Sequence, residues 1–196
     1  MHIPDGFLDP WVAGLFWLGS GAAIGFAVRR ARGELGDERT PLLGVVAAGI
    51  FAAQMLNWPI PGGTSAHFVG GAFAGILLGP SLGVLAMTAV VTIQALVFGD
   101  GGIVALGANL FALAVVDVLA GYVLFRVARR VHEPAAAFVA GWGAVVLSAL
   151  AVGVGVGLSS AFAYELGVTV PIMVVGHALL GLIEGAITAA VYGYVA

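Results

Sequence analysis

The sequence predicts a polytopic α-helical membrane protein, and three observations carry this prediction. Hydrophobic residues make up 61% of the 196-residue chain and charged residues 9%, whereas a soluble domain has about 45–50% and about 25%. Apolar runs of helix length with few or no charges cover 42–56, 105–125 and 135–158. These runs lack the apolar–polar alternation of a membrane β-barrel, the other structure that can span lipid.

The same composition excludes several classes of function. It is unlike that of a water-soluble enzyme or a disordered chain, and a net charge of −3 gives no reason to expect nucleic acid as a partner. Cysteine is absent, so we expect no disulfide framework, no zinc–thiolate site and no iron–sulfur cluster.

The arginines predict the topology. The chain has no lysine, and its seven arginines form two clusters within 29–39 and 126–130. Positive charge marks cytoplasmic loops, so an even number of spans should separate the two clusters. Turn-forming residues at 57–63, 79–81 and 99–102 divide the stretch between the clusters into four spans. One span before them (about 11–28) and two after (about 135–158 and 170–195) make seven transmembrane helices. The N-terminus is then outside and the C-terminus cytoplasmic; two middle spans are short, so one could be re-entrant.

The whole chain, 1–196, is predicted to be a single membrane domain in which residues 1–10 form an external segment. The first apolar run is not expected to be a cleaved signal peptide, because its arginines follow the apolar stretch instead of preceding it.

Histidine is the residue that suggests metal chemistry on the external side. His2 follows the α-amine, so the amine, the His2 amide nitrogen and the His2 imidazole can chelate one ion, as suits Ni²⁺ or Cu²⁺. His67, at the end of a Pro- and Gly-rich turn, is the candidate for a fourth nitrogen. Each histidine also has a simpler explanation: His2 by chance, and His67 as an interfacial residue near a helix capped by Thr64 or Ser65. His132 is expected to be a solvated loop residue.

Polar residues inside the predicted spans form a second group. Asp117 and Glu184 lie midway along the fifth and seventh spans, where ionisable groups are functional candidates by default. His177 lies two helical turns from Glu184, on the same face. Gln94 and Asn109 could form hydrogen bonds between helices. Structural pairing and support of a site both remain open for this group.

The N-terminal segment and three internal stretches resemble the CbiM/NikM family, the metal-binding membrane subunits of energy-coupling factor transporters for cobalt and nickel. These stretches are Met1-His2-Ile3-Pro4-Asp5-Gly6-Phe7-Leu8, Gln54 to His67 with its Gly62-Gly63-Thr64-Ser65-Ala66-His67 ending, Gln94 to Ile103, and Ala105-Leu106-Gly107-Ala108-Asn109.

The resemblance implies a seven-helix subunit whose N-terminal segment inserts into the bundle from outside. It implies that the ion is held by the Met1 amine, the amide nitrogen and imidazole of His2, and His67. Residues in matching motifs would belong to a second shell or fix loops; they are Asn57, Thr64, Ser65, Gln94 and Asn109.

The implied function is uptake of Ni²⁺ or Co²⁺ across the cytoplasmic membrane of a prokaryote, without a prosthetic group and without catalysis by this chain. No Gly-x-x-x-x-Gly-Lys-Ser/Thr motif occurs, so a transmembrane coupling subunit and cytosolic ATPase subunits would supply the work. A small accessory membrane subunit is a further possible partner.

Three alternatives remain open at this point. A vitamin-binding subunit of the same transporter class would need a larger apolar pocket, and an ion-coupled metal carrier would need a polar path, to which Asp117 and Glu184 could contribute. A metal-dependent membrane hydrolase would need a general base beside the ion, and Asp5 is the one nearby carboxylate. The sequence does not separate nickel from cobalt.

Overall fold

The computed structural model describes residues 1–195 and is predominantly helical, as predicted. Eight α-helices, two short strands and two π-helical segments follow one another along the chain. In order they are α1 (Pro10–Ala31), α2 (Arg39–Gln54), β1 (Asn57–Pro59), β2 (Ser65–His67), α3 (Gly71–Leu78), α4 (Pro80–Ile93), a π-helical segment (Gln94–Phe98), α5 (Leu106–Asn109), a second π-helical segment (Leu110–Val116), α6 (Asp117–Ala128), α7 (Glu133–Gly157) and α8 (Leu166–Val195).

Within residues 1–195, five helical stretches are long and apolar enough to cross a membrane, which confirms the predicted class of a helical membrane bundle. They are Pro10–Ala31, Pro80–Phe98, Leu106–Ala128, Glu133–Gly157 and Leu166–Val195. Helix α2 is a shorter apolar helix of 16 residues. Many large apolar side chains on these helices are exposed, Leu18 at 73% and Val97 at 70% among them. Such surfaces suit lipid better than water.

The third predicted span is not a full transmembrane helix, as the sequence allowed for one of the two short middle spans. The chain between α2 and α4 instead forms an antiparallel hairpin, in which Asn57 pairs with His67, followed by the eight-residue helix α3. At 1.5 Å per residue α3 is about 12 Å long, well short of a bilayer core of about 30 Å. The short third segment that the sequence left as possibly re-entrant is therefore a half-length helix inside the bundle.

Helix α3 is buried because long helices surround it. It packs against α4 and α6, and five of its residues are buried: Gly71, Ala72, Ala74, Gly75 and Leu78. A Cβ added at Gly75 would lie 2.7 Å from the Val118 carbonyl oxygen. The close approach of α3 to α6 therefore requires glycine at this position.

The direction of the helices places both arginine clusters at one end of the bundle. Helix α1 ends and α2 begins beside the first cluster, and α6 ends and α7 begins beside the second. The N-terminal segment, the 57–67 hairpin and the loops at 99–105 and 158–165 therefore meet at the opposite end. That this end faces outward remains a prediction from the arginines.

Candidate metal centre

The N-terminal segment turns back into the bundle, and its first three residues are nearly inaccessible to solvent. Met1 and Ile3 are 0% exposed and His2 is 4% exposed. Asn109 holds the segment by two hydrogen bonds to Ile3: its Oδ1 accepts from the Ile3 amide at 2.8 Å, and its Nδ2 donates to the Ile3 carbonyl at 3.0 Å. The Gly102 amide donates to the same carbonyl at 2.9 Å. Asn109 and Gly102 thus satisfy both backbone polar groups of Ile3.

Two aspartates hold the rest of the segment in place. The Asp5 carboxylate accepts hydrogen bonds from the backbone amides of three consecutive residues, Ile103, Val104 and Ala105. The Asp9 carboxylate accepts from the amides of Ser160 and Ala161, which lowers the pKa of Asp9. Both carboxylates accept hydrogen bonds from backbone amides, so Asp5 is not the free carboxylate that a hydrolase would need as its general base.

The Ser65 hydroxyl connects the N-terminus to the hairpin. Its oxygen accepts hydrogen bonds from the Met1 amino group at 3.0 Å and from the His2 amide at 3.2 Å. These two nitrogens therefore face the same atom of β2. Ser65 does not cap a helix, and the neighbouring Thr64 hydroxyl oxygen is buried without a hydrogen-bond partner.

The His2 and His67 imidazoles are in direct contact. Their ring centroids are 4.6 Å apart, and the planes differ by 13°. His67 Nδ1 lies 2.6 Å from the Phe68 carbonyl oxygen, which can only accept a hydrogen bond, so Nδ1 carries the proton. The lone pair of His67 is then on Nε2, a buried atom without a hydrogen-bond partner. Such an orienting bond is typical of histidines that bind metal through the other nitrogen.

Burial favours the uncharged forms of these bases. It lowers the pKa of the Met1 ammonium group and of His67 well below their usual values. Burial also lowers the pKa of His2, although the facing Asp100 opposes that shift. Neutral amine and imidazole nitrogens are the forms that can donate a lone pair to a metal ion.

Buried polar atoms without partners collect around this point. They include both ring nitrogens of His2, His67 Nε2 and both side-chain polar atoms of Gln94. Buried polar groups are normally paired, so orphaned atoms need an explanation such as an unseen ligand. Within residues 1–195, no three His, Cys, Asp or Glu side chains are grouped closely enough to hold a metal ion. A metal held here would therefore need nitrogen donors from the main chain.

The remaining candidates lie around the same site. Asn57 Nδ2 donates to Asp100 Oδ2 at 3.0 Å, and Asp100 Oδ1 lies 3.2 Å from His2 Nδ1. The last contact has the distance of an ion pair but not the angle of a hydrogen bond. Sequence reasoning misses Asp100, because Gly99-Asp100-Gly101-Gly102 predicts a turn and the resemblance over Gln94 to Ile103 gives Asp100 no role of its own. The signal was available: one carboxylate stands within a glycine turn on the predicted external side.

An open cavity of about 460 Å³ leads from the surface to this cluster. His2, Asn57, Thr64, Ser65 and Asp100 are among the residues that line it. A single metal ion can reach the N-terminus through this cavity.

Among the polar residues of the predicted spans, His177 also lies close to this site, within electrostatic range of the Met1 amino group and of His67. Asp117 and Glu184 lie elsewhere, with structural partners. Glu184 accepts hydrogen bonds from the Val69 and Gly70 amides at 2.8 and 2.7 Å, and Asp117 accepts from the Ala72 amide at 3.0 Å. The first backbone amides of a helix have no acceptor within the helix, and these carboxyl groups accept hydrogen bonds from such amides at the start of α3. His177 Nδ1 bonds the Met173 carbonyl, while its buried Nε2 has no partner. His132 caps α7 by accepting from the Ala135 amide at 3.2 Å, at the arginine end of the bundle.

Comparison with known proteins identifies the family of the chain. The profile of the CbiM family, described as the cobalt uptake substrate-specific transmembrane region, matches residues 2–196. A Haloquadratum walsbyi relative, provisionally named a metal transport protein, is 82% identical over all 196 residues, which cover 90% of that relative. A relative from Archaeoglobus fulgidus, provisionally named the fused nickel transport protein NikMN, is 58% identical over the whole chain, which spans 65% of its length.

A solved structure shares the fold. The crystal structure of a truncated transition metal transporter superposes with a TM-score of 0.94 and 31% identity, over 99% of this chain and 97% of that one. The overall fold thus belongs to a known architecture, and the chain is a member of the CbiM family of membrane proteins.

Proposed function

We propose that this chain is the substrate-binding membrane subunit of an energy-coupling factor transporter that takes up Ni²⁺ or Co²⁺. The ion would be captured from the external side by the Met1 amine, the His2 amide nitrogen, the His2 imidazole and His67. The observation that carries this proposal is the burial of the first two residues against the His67 ring, with both imidazoles holding unpartnered nitrogens.

The order of atoms at the N-terminus favours chelation of a transition ion. The Met1 amine and the His2 amide nitrogen close a five-membered ring with a metal ion, and the amide nitrogen and His2 Nδ1 close a six-membered ring. Nε2 of the same imidazole is too remote to close a small ring. His67 Nε2 would complete a planar set of four nitrogens, a geometry typical of Ni²⁺; Co²⁺ would accept further ligands.

Two imidazoles that bind one ion from adjacent corners of a plane lie side by side with nearly parallel ring planes. The angle of 13° between the His2 and His67 rings, with centroids 4.6 Å apart, is compatible with that arrangement. The amine and the amide release protons when the ion binds, because only deprotonated nitrogens can be ligands.

Movement of the ion into the cell would depend on partners. The sequence contains no phosphate-binding loop motif and no lysine to serve one. We therefore assign ATP hydrolysis to cytosolic ATPase subunits and the coupling of that work to a transmembrane partner, with a small accessory membrane subunit as a further candidate. The setting would be the cytoplasmic membrane of a prokaryote, in which the whole subunit would tilt to release its ion inward.

Metal binding by the purified protein in detergent tests the capture mechanism. His2→Ala and His67→Ala should each abolish tight binding of Ni²⁺ and Co²⁺ in equilibrium dialysis. The matched control His132→Ala should bind normally, because His132 caps α7 at the other end of the bundle. Normal binding by the His67→Ala protein would refute the proposed ligand set.

Uptake assays test the dependence on partners. Vesicles that contain this chain alone should bind the ion without accumulating it, and accumulation should require the coupling and ATPase subunits together with ATP. Accumulation by the chain alone, driven by an ion gradient, would identify an ion-coupled carrier instead.

A further inference from the structure

Asp100 is held in a fixed position where the cavity meets the first two residues. Its amide donates to the Gln94 carbonyl at 2.9 Å, and its Oδ2 accepts from Asn57. Gly99 and Gly101 on either side have φ angles of +68° and +101°, a conformation that side-chain-bearing residues rarely adopt. This turn directs Oδ1 of Asp100 to within 3.2 Å of His2 Nδ1.

Asp100 is the one carboxyl group among residues 1–195 that lines this cavity. Asp5 and Asp9, on the same end of the bundle, are occupied by backbone amides of other loops. Asp117 and Glu184 hold the start of α3. The Asp100 side chain, at 21% exposure, is thus the available negative charge next to a buried N-terminus.

We propose that Asp100 is the counter-charge of the metal centre: it balances the charge of the bound ion without being one of its ligands. This inference rests on the proposed function. A divalent ion with one deprotonated amide and three neutral nitrogens leaves a net charge of +1 in a largely buried site. An uncompensated buried charge is strongly unfavourable, and the Asp100 carboxylate brings the sum to zero.

His2 Nδ1 is the nitrogen that the chelate ring requires and the one that Asp100 contacts. An ion that comes through the cavity meets Asp100 as it reaches that nitrogen. Asp100 therefore lies beside the chelating nitrogen without being a ligand, and its carboxylate neutralises the complex once the ion is bound.

Substitution of Asp100 by its uncharged isostere tests this role. We expect D100N to raise the Kd for Ni²⁺ by about 10- to 100-fold, the usual effect of removing a group outside the ligand shell. The visible absorption spectrum of the bound Ni²⁺ should stay that of the wild type, because all four nitrogens remain. D100E, which keeps the charge, should recover most of the affinity. Glu165→Gln, which removes an exposed carboxylate at the same end of the bundle, should leave the affinity unchanged.

Three results would overturn the inference: wild-type affinity in D100N, a D100E protein no better than D100N, or an altered Ni²⁺ spectrum, which would make Asp100 a ligand. Thermal unfolding establishes that each variant is folded, and Asp100→Ser, with the same expectation, replaces D100N if the latter does not fold. His2→Ala and His67→Ala are measured in parallel. If these two bind normally, the metal centre itself is wrong; if they lose binding while D100N does not, only the counter-charge is wrong.

Discussion

A removable leader peptide would test whether the terminal amine of Met1 binds the ion. A leader of about ten residues, free of His and Cys, is placed before Met1 and ends in a protease site that leaves Met1 first after cleavage. With the leader attached, the Met1 nitrogen becomes a peptide nitrogen and the new terminus is far from the site. The chain would also have to leave a position where Met1 is 0% exposed and its nitrogen lies 3.0 Å from the Ser65 hydroxyl.

The expected loss can be bounded from the structure. Removal of groups outside the ligand shell costs about 10- to 100-fold in affinity. Loss of a direct donor that also closes a chelate ring should therefore cost at least about 100-fold, or about 2.7 kcal/mol. A leader of a single residue would be misleading, because its amine, two amides and His2 Nδ1 would supply four consecutive nitrogens without His67.

The assay is isothermal titration of the detergent-solubilised protein with Ni²⁺ and Co²⁺, before and after cleavage. The uncleaved protein should bind at least about 100-fold more weakly, and cleavage should restore tight binding in the same sample. The sample thus serves as its own control for folding. Equal affinities before and after cleavage would show that the amine is not a ligand and would refute the mechanism.

Three further predictions follow from the site and its supports. Asn109→Leu removes both hydrogen bonds that fix the N-terminal segment at Ile3, and it should weaken Ni²⁺ binding by about tenfold in the same titration while the protein remains folded. Affinity should fall as the pH is lowered, because the His2 amide nitrogen must lose its proton to bind the ion and because protons compete for the lone pairs of the Met1 amine and the His2 imidazole. Burial lowers the pKa of both groups, which moves this competition toward lower pH. Equal affinities at mildly acidic and neutral pH would contradict the prediction. Glu184→Ala leaves two buried amides without acceptors, at about 1–3 kcal/mol each, and should lower the unfolding temperature in detergent by several degrees, whereas the exposed Glu165→Ala should not.

The helical bundle could be predicted from the sequence because hydropathy and charge are local properties. Apolar runs locate the long helices, and the two arginine clusters indicate which helix ends lie on the same side of the bundle. The half-length helix α3 could not be predicted in the same way. It exists because Glu184 and Asp117, more than forty residues away, supply acceptors for its first amides; its length depends on contacts that no local pattern contains.

The candidate site shows the same division. His2 and His67 could be proposed from residue type and position, and the structure brings their rings together. Asn109 binds backbone atoms of Ile3, so the type of side chain at position 3 gives no indication of this contact. Asp100 was missed because its partner is a residue that precedes it by nearly a hundred positions and returns only through the fold.

The attachment of α3 has a mechanical consequence for transport. Glu184 belongs to α8 and Asp117 to the start of α6, and both grip the short segment that begins two residues after His67. Sliding of α6 past α8 would break these hydrogen bonds and leave backbone amides without acceptors in a region that water does not reach. Motion that preserves these hydrogen bonds must carry the three elements together, so the proposed inward release of the ion would turn them as one rigid body.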